Sequence, residues 1–171
     1  MKYLTKLILF LFVSSVFSQT NPFDKLNFDK VVAYEFQGNG ELLIERCLKE
    51  KKDKINKTLE LSKKQVNNLE QVLTSKESYG NSTFSCFDPH FAVVYYKNNK
   101  IIGSINICLE CNYLISSEKI PATELKWIKI SDDYSYPAKG FSKITRKEIY
   151  NFCKNIGFDK YLKPLNSYLD D

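Results

Sequence analysis

The chain has 171 residues, 43% of them hydrophobic, with a formal net charge of +5, a length that suits one ordinary domain with a sizeable core. Its 25 basic residues include only two arginines, Arg46 and Arg146, and are interspersed with 20 acids, a balance that favours solubility more than nucleic-acid binding, which is not expected. A phosphate-binding glycine loop, a Ser nucleophile elbow and an HExxH pair are all missing from the sequence, which leaves the enzyme classes they mark without support.

The first stretch, "MKYLTKLILFLFVSSVFSQ", has the parts of a secretory leader in order. Lys2 and Lys6 supply the positive start, Leu7 to Val13 the apolar run, and a small residue precedes the expected cleavage between Ser18 and Gln19. No cysteine follows the apolar run, so there is no site for a lipid anchor of the bacterial type. Cleavage leaves 153 residues carrying +3. A bilayer span needs about 20 apolar residues, and no later segment approaches that. The expectation is a secreted or periplasmic protein with residues 1–18 removed, no transmembrane segment in the mature chain, and residues 19–171 forming a single α+β domain.

In chain order, "KVVAYEFQ" at 30–37 reads as a strand, and the Gly38-Asn39-Gly40 turn signal predicts that "ELLIERCL" at 41–48 returns beside it. The basic run "KEKKDKINK" at 49–57 is broken by acids and reads as a solvated connector. "INKTLEL" at 55–61 alternates as a half-buried strand does. Ser62 with Gln65 makes a capping box, and Val66, Leu69, Val72 and Leu73 share one face, which predicts a helix over about 62–74. Two β-branched and aromatic runs meeting at Asn98-Asn99 predict a central hairpin over about 90–109 with a type I′ turn. "NYLISS" and "ELKWIKI" read as further strands, with Trp127 expected in the core. The last helix is predicted over about 145–156, capped by Thr145 and Glu148 and stopped by Gly157, with Ile149, Phe152, Cys153 and Ile156 as its buried stripe. This order predicts an α+β fold with a mostly antiparallel sheet and two helices.

The chemistry-bearing residues cluster around the hairpin: Cys86 and the only histidine, His90, before it, and Cys108-x-x-Cys111 after it. If the turn is Asn98-Asn99 and pairing continues, Cys86 falls opposite Cys111, and facing Cβ atoms about 4.5–5.5 Å apart come near what a disulfide needs. Zinc asks more, because four ligands must reach within about 2.0–2.3 Å of one ion. In straight strands His90 lies about 13 Å along from Cys86 and Cys108 points away from Cys111. A bend at Pro89 and a knuckle at Asn112 would be required to gather Cys86, His90, Cys108 and Cys111 into a Cys₃His site. An oxidising compartment favours a disulfide from Cys86 to Cys111 or Cys108, and zinc at the same cluster remains open. A thiol-disulfide oxidoreductase using Cys108 and Cys111 is the alternative, weakened because no helix follows to lower a thiol pKa. Cys153 reads as a core residue with Cys47 as its possible partner, and five cysteines leave at least one without an intramolecular bridge. A Cys86/His90 nucleophile pair lacks any marked oxyanion hole or orienting group, so no catalytic residue is assigned.

The order of leader, "KVVAYEF", "LSKKQVNNLEQVL", "SCFDPHFAVVYY", "INICLECN" and "GFSKITRKEIYNFCKNIGF" resembles a family of small exported proteins and lipoproteins of flavobacterial type. Its members carry a Cys-Phe-x-Pro motif, here Cys86 to Pro89, a hairpin, and an Ile/Val-Cys-x-x-Cys-Asn motif, here Ile107 to Asn112. The resemblance spans most of the mature chain and implies its topology and the importance of Cys86, Cys108 and Cys111, but no reaction. The expected function is therefore an exported binding or structural protein with a Cys/His cluster stapled by a disulfide or zinc.

Overall fold

The computed structural model describes residues 21–39, 42–124, 126–129, 131–132 and 135–169. The leader and the Ser18/Gln19 boundary lie outside the described residues. Among the described residues no helix is long and apolar enough to cross a membrane.

The chain runs β1 (Lys30–Phe36), α1 (Ile44–Glu50), β2 (Ile55–Glu60), α2 (Lys63–Thr74), β3 (Tyr79–Asn81), β4 (Phe91–Lys97), β5 (Lys100–Cys108) and β6 (Tyr113–Ser116). It continues through β7 (Trp127–Lys129), β8 (Ser135–Pro137), β9 (Gly140–Phe141) and α3 (Lys143–Asn155). Five strands form one antiparallel sheet in the order β2-β1-β4-β5-β6. The fold is α+β, as the sequence predicts.

Strands β1 and β4 are covered on both faces, which is why they read as unbroken apolar runs. On one face Val31, Ala33, Phe91, Val93, Ile105 and Ile107 meet Val66, Leu69 and Leu73 of α2 and Ile149 and Cys153 of α3. On the other, Val32, Tyr34, Phe36, Ala92 and Val94 meet Ile44 and Cys47 of α1. Each fully buried aliphatic or aromatic side chain contributes about 1.5–3 kcal/mol, so both helical layers are fastened by the same two strands.

Residues 44–50 are helical, a correction to the returning strand expected over 41–48. Ile44, Cys47 and Leu48 fall at helical spacing, and Asn106 of β5 supplies the cap that Leu43 has no side chain to provide: its Oδ1 accepts the Ile44 N–H at 2.9 Å. The strands beside β1 are β2 and β4 instead.

The hairpin β4–β5 turns at Asn98 and Asn99, with φ of 49° and 60°, the left-handed pair that a type I′ turn demands. Helix α2 carries the capping box of Ser62 and Gln65. Helix α3 begins two residues earlier than predicted: Ser142 is its cap, accepting the Thr145 N–H at 3.3 Å, because Thr145 is itself buried inside the first turn. Its end is a Schellman motif, in which Phe158 N–H reaches Cys153 O at 2.8 Å and Gly157 N–H reaches Lys154 O at 3.0 Å, with Gly157 at φ 74°. Trp127 is not in the core. It sits on the two-stranded ribbon β7–β8 and is 65% exposed.

Candidate functional site

Two segments meet at one end of the sheet. The first, residues 86–90, leads into β4 but leans on β1: Phe36 N–H donates to His90 O at 3.1 Å and Gly38 N–H to Pro89 O at 3.0 Å. A Cβ on Gly38 would stand 2.5 Å from that Pro89 oxygen and 2.8 Å from the proline ring, so glycine is required by close approach. The second segment is the four-residue turn 109–112 that joins β5 to β6, where Cys108 faces Tyr113. Asn112 turns the chain with φ 61°, an angle that asparagine tolerates better than most residues.

Asn112 also anchors the turn. Its Nδ2 donates to Ser82 O at 2.8 Å and Phe141 O at 3.2 Å, while its backbone oxygen accepts the Phe141 N–H at 3.1 Å. The two segments are then joined directly. Phe84 N–H donates to Cys111 O at 3.0 Å, the Tyr113 hydroxyl donates to Cys86 O at 3.0 Å, and the Phe87 and Tyr113 rings pack with centroids 4.7 Å apart.

Cys111 lies at the centre of this junction. Its sulfur is 2.6 Å from the sulfur of Cys86 and 2.6 Å from that of Cys108, and its N–H donates to Cys108 Sγ at 3.1 Å. All five cysteines are free thiols, none at the roughly 2.05 Å of an S–S bond. Cys108 and Cys111 are buried and Cys86 is exposed.

The register that would face Cys86 with Cys111 does not operate. Tyr96 pairs with Ile101 but Tyr95 with Gly103, so Ile102 is an extra residue in β5, and pairing stops at Phe91 and Ile107. The sulfurs meet because the turn 109–112 curls and the 86–90 segment bends, not because the ladder extends.

His90 takes a different place. Its Nδ1 lies 3.2 Å from Phe36 O and its ring stacks on Tyr161 at 5.0 Å. Among the described residues no group of three or more His, Cys, Asp or Glu side chains is arranged to hold a metal ion. Sulfurs bound tetrahedrally to zinc stand about 3.8 Å apart for Zn–S bonds near 2.3 Å, and the Cys111 sulfur lies nearer than that to both Cys86 and Cys108. Cys47 and Cys153 cannot pair as expected, since they belong to the cores on opposite faces of the sheet.

Burial sets the thiol chemistry. Cys111 is pushed up to about 11, first by burial and then by its hydrogen bond with Cys108. Cys86 is pushed up to about 11, first by its hydrogen bond to Cys111 and then by burial. Burial also raises Cys108, against the opposing hydrogen bonds from the Cys111 side chain and amide. All three are protonated at neutral pH, whereas a catalytic attacking thiol is held low by positive charge or a helix N-terminus.

Gly38 and Tyr113 were invisible as site residues in the sequence, because their roles depend on a tertiary close approach and a long-range hydrogen bond. No family model, no curated protein and no solved structure matches this chain.

Proposed function

We propose that the chain is an exported α+β protein, structural or binding rather than catalytic, in which Cys86 and Cys111 form a disulfide staple. The observation that carries the reading is the central Cys111 sulfur, 2.6 Å from Cys86, at the point where residues 84–90 cross the β5–β6 turn. Little movement separates that contact from a bond once the chain enters an oxidising compartment. The raised thiol pKa values support a structural role, since thiols held protonated at neutral pH attack slowly there and a bridge once formed persists. The same observation weakens the thiol-disulfide oxidoreductase alternative at Cys108 and Cys111. Export is supported by the leader-like order of residues 1–18 in the sequence.

Cys86 and Cys111 lie 25 positions apart, so the chain-entropy picture assigns the bridge about 3.5 kcal/mol. At this size that is roughly 10 °C of melting temperature. Protein harvested from a periplasm is expected to begin at Gln19, to lose about that much on reduction, and to be indifferent to a zinc chelator. A chain retaining residues 1–18, or one destabilised by chelation but not by reduction, would overturn the proposal.

A further inference from the structure

We infer that Cys111 is a shared sulfur serving two mutually exclusive disulfides, and that its transfer from Cys86 to Cys108 releases Cys86 as an exposed exchange site for external disulfides. The inference rests on the staple reading and deepens it. Its basis is the symmetry of the cluster: the Cys111 sulfur is 2.6 Å from Cys86 and 2.6 Å from Cys108, yet it can bond to only one of them. The two outer sulfurs differ in access, Cys108 being buried and Cys86 exposed. A third thiol beside a disulfide is the arrangement that thiol-disulfide exchange requires.

The step balances within the chain. Cys108, as thiolate, attacks the Cys111 sulfur of the Cys86–Cys111 bridge. The Cys108–Cys111 bond forms, the Cys86–Cys111 bond breaks, and the electron pair leaves on Cys86. The proton that Cys108 gives to solvent is regained there, with no net oxidation. The freed Cys86 then attacks an external disulfide RS–SR, forming Cys86–SR and expelling RS⁻. The partner class is therefore a small or protein disulfide able to reach the surface at residue 86. Cys47 and Cys153 take no part, each being buried in a separate apolar core.

The test uses the oxidised, full mature protein. Native protein is labelled with iodoacetamide in mildly alkaline buffer, unfolded without reductant in a second alkylating agent of different mass, and peptide-mapped. The first label is expected on Cys86, at a rate that stops rising with iodoacetamide concentration because internal exchange limits it, and the labelled molecules should hold a Cys108–Cys111 bridge. In Cys108→Ser the Cys86–Cys111 bridge should persist while labelling of Cys86 falls at least tenfold. Cys86→Ser should hold the Cys108–Cys111 bridge instead, which checks the second pairing should the first variant misfold. No label on Cys86, labelling unchanged in Cys108→Ser, a rate strictly proportional to reagent, or no bridge in Cys86→Ser overturns the exchange. Failure of the staple itself looks different: unlabelled protein, unfolded without reductant, would show no protected pair at all.

Discussion

Asn112 does three things at one position. It takes a left-handed backbone angle, it accepts from Phe141, and its amide donates to two carbonyls. Asn112→Asp keeps the size and the tolerance of positive φ but sets a carboxylate against the oxygens of Ser82 and Phe141. Losing two buried hydrogen bonds and burying an unpaired charge should cost roughly 3 kcal/mol or more at neutral pH, with partial recovery in acid where a protonated carboxyl donates again. A thermal melt at both pH values checks this, and an unchanged neutral melting temperature would remove Asn112 as the anchor. Glu70 gives a second residue-scale expectation. It is buried, accepts from the Tyr95 hydroxyl at 3.0 Å and from Asn21 at 2.5 Å, and burial raises its pKa despite those bonds. A carboxyl raised in the folded state binds more protons there than in the unfolded chain, so its stability is full below the ordinary glutamate pKa and is lost as pH rises through the folded value. The slope of stability against pH between acid and neutral should therefore flatten in Glu70→Gln. Equal slopes in the two proteins would contradict this.

The elements that were legible in the sequence are those whose local signals agree with their burial. The Asn98-Asn99 turn, the Ser62/Gln65 box and the Gly157 stop are each written in adjacent residues, and each forms as expected. The elements misread are those decided at a distance. Helix α1 is only seven residues long and is capped by Asn106 from 62 positions away, so the strong turn signal before it pointed to a hairpin. Ile44→Ala tests how α1 is held. Its fully buried side chain packs under β1 and β4, and truncation should cost about 2–5 kcal/mol in urea unfolding. A loss below about 0.5 kcal/mol would mean that α1 is not docked there. The sulfur cluster is an intermediate case. Its members are visible as motifs, but the register that brought Cys86 to Cys111 fails on a single extra residue at Ile102, and His90 is diverted to Phe36 and Tyr161 by contacts with no local signal.

At the scale of the whole molecule, the sheet buries apolar surface on both faces, and the sulfur cluster closes one end of it, beside Phe87 and Tyr113. The staple joins the start of β4 to the β5–β6 turn, and the turn in turn holds β3 and β9 through Asn112. Loss of the bridge should therefore loosen that end while the double-sided centre persists. Hydrogen exchange on reduced protein is expected to accelerate at residues 84–90 and 109–112 before β1 and β4; uniform acceleration would contradict a local staple. The most direct test of the central claim is a peptide mass map of periplasmic protein, unfolded and alkylated without reductant. A disulfide-linked pair of peptides joining Cys86 to Cys111, with Cys47 and Cys153 alkylated, is the expected result. Alkylation of Cys86, Cys108 and Cys111 alike would contradict it.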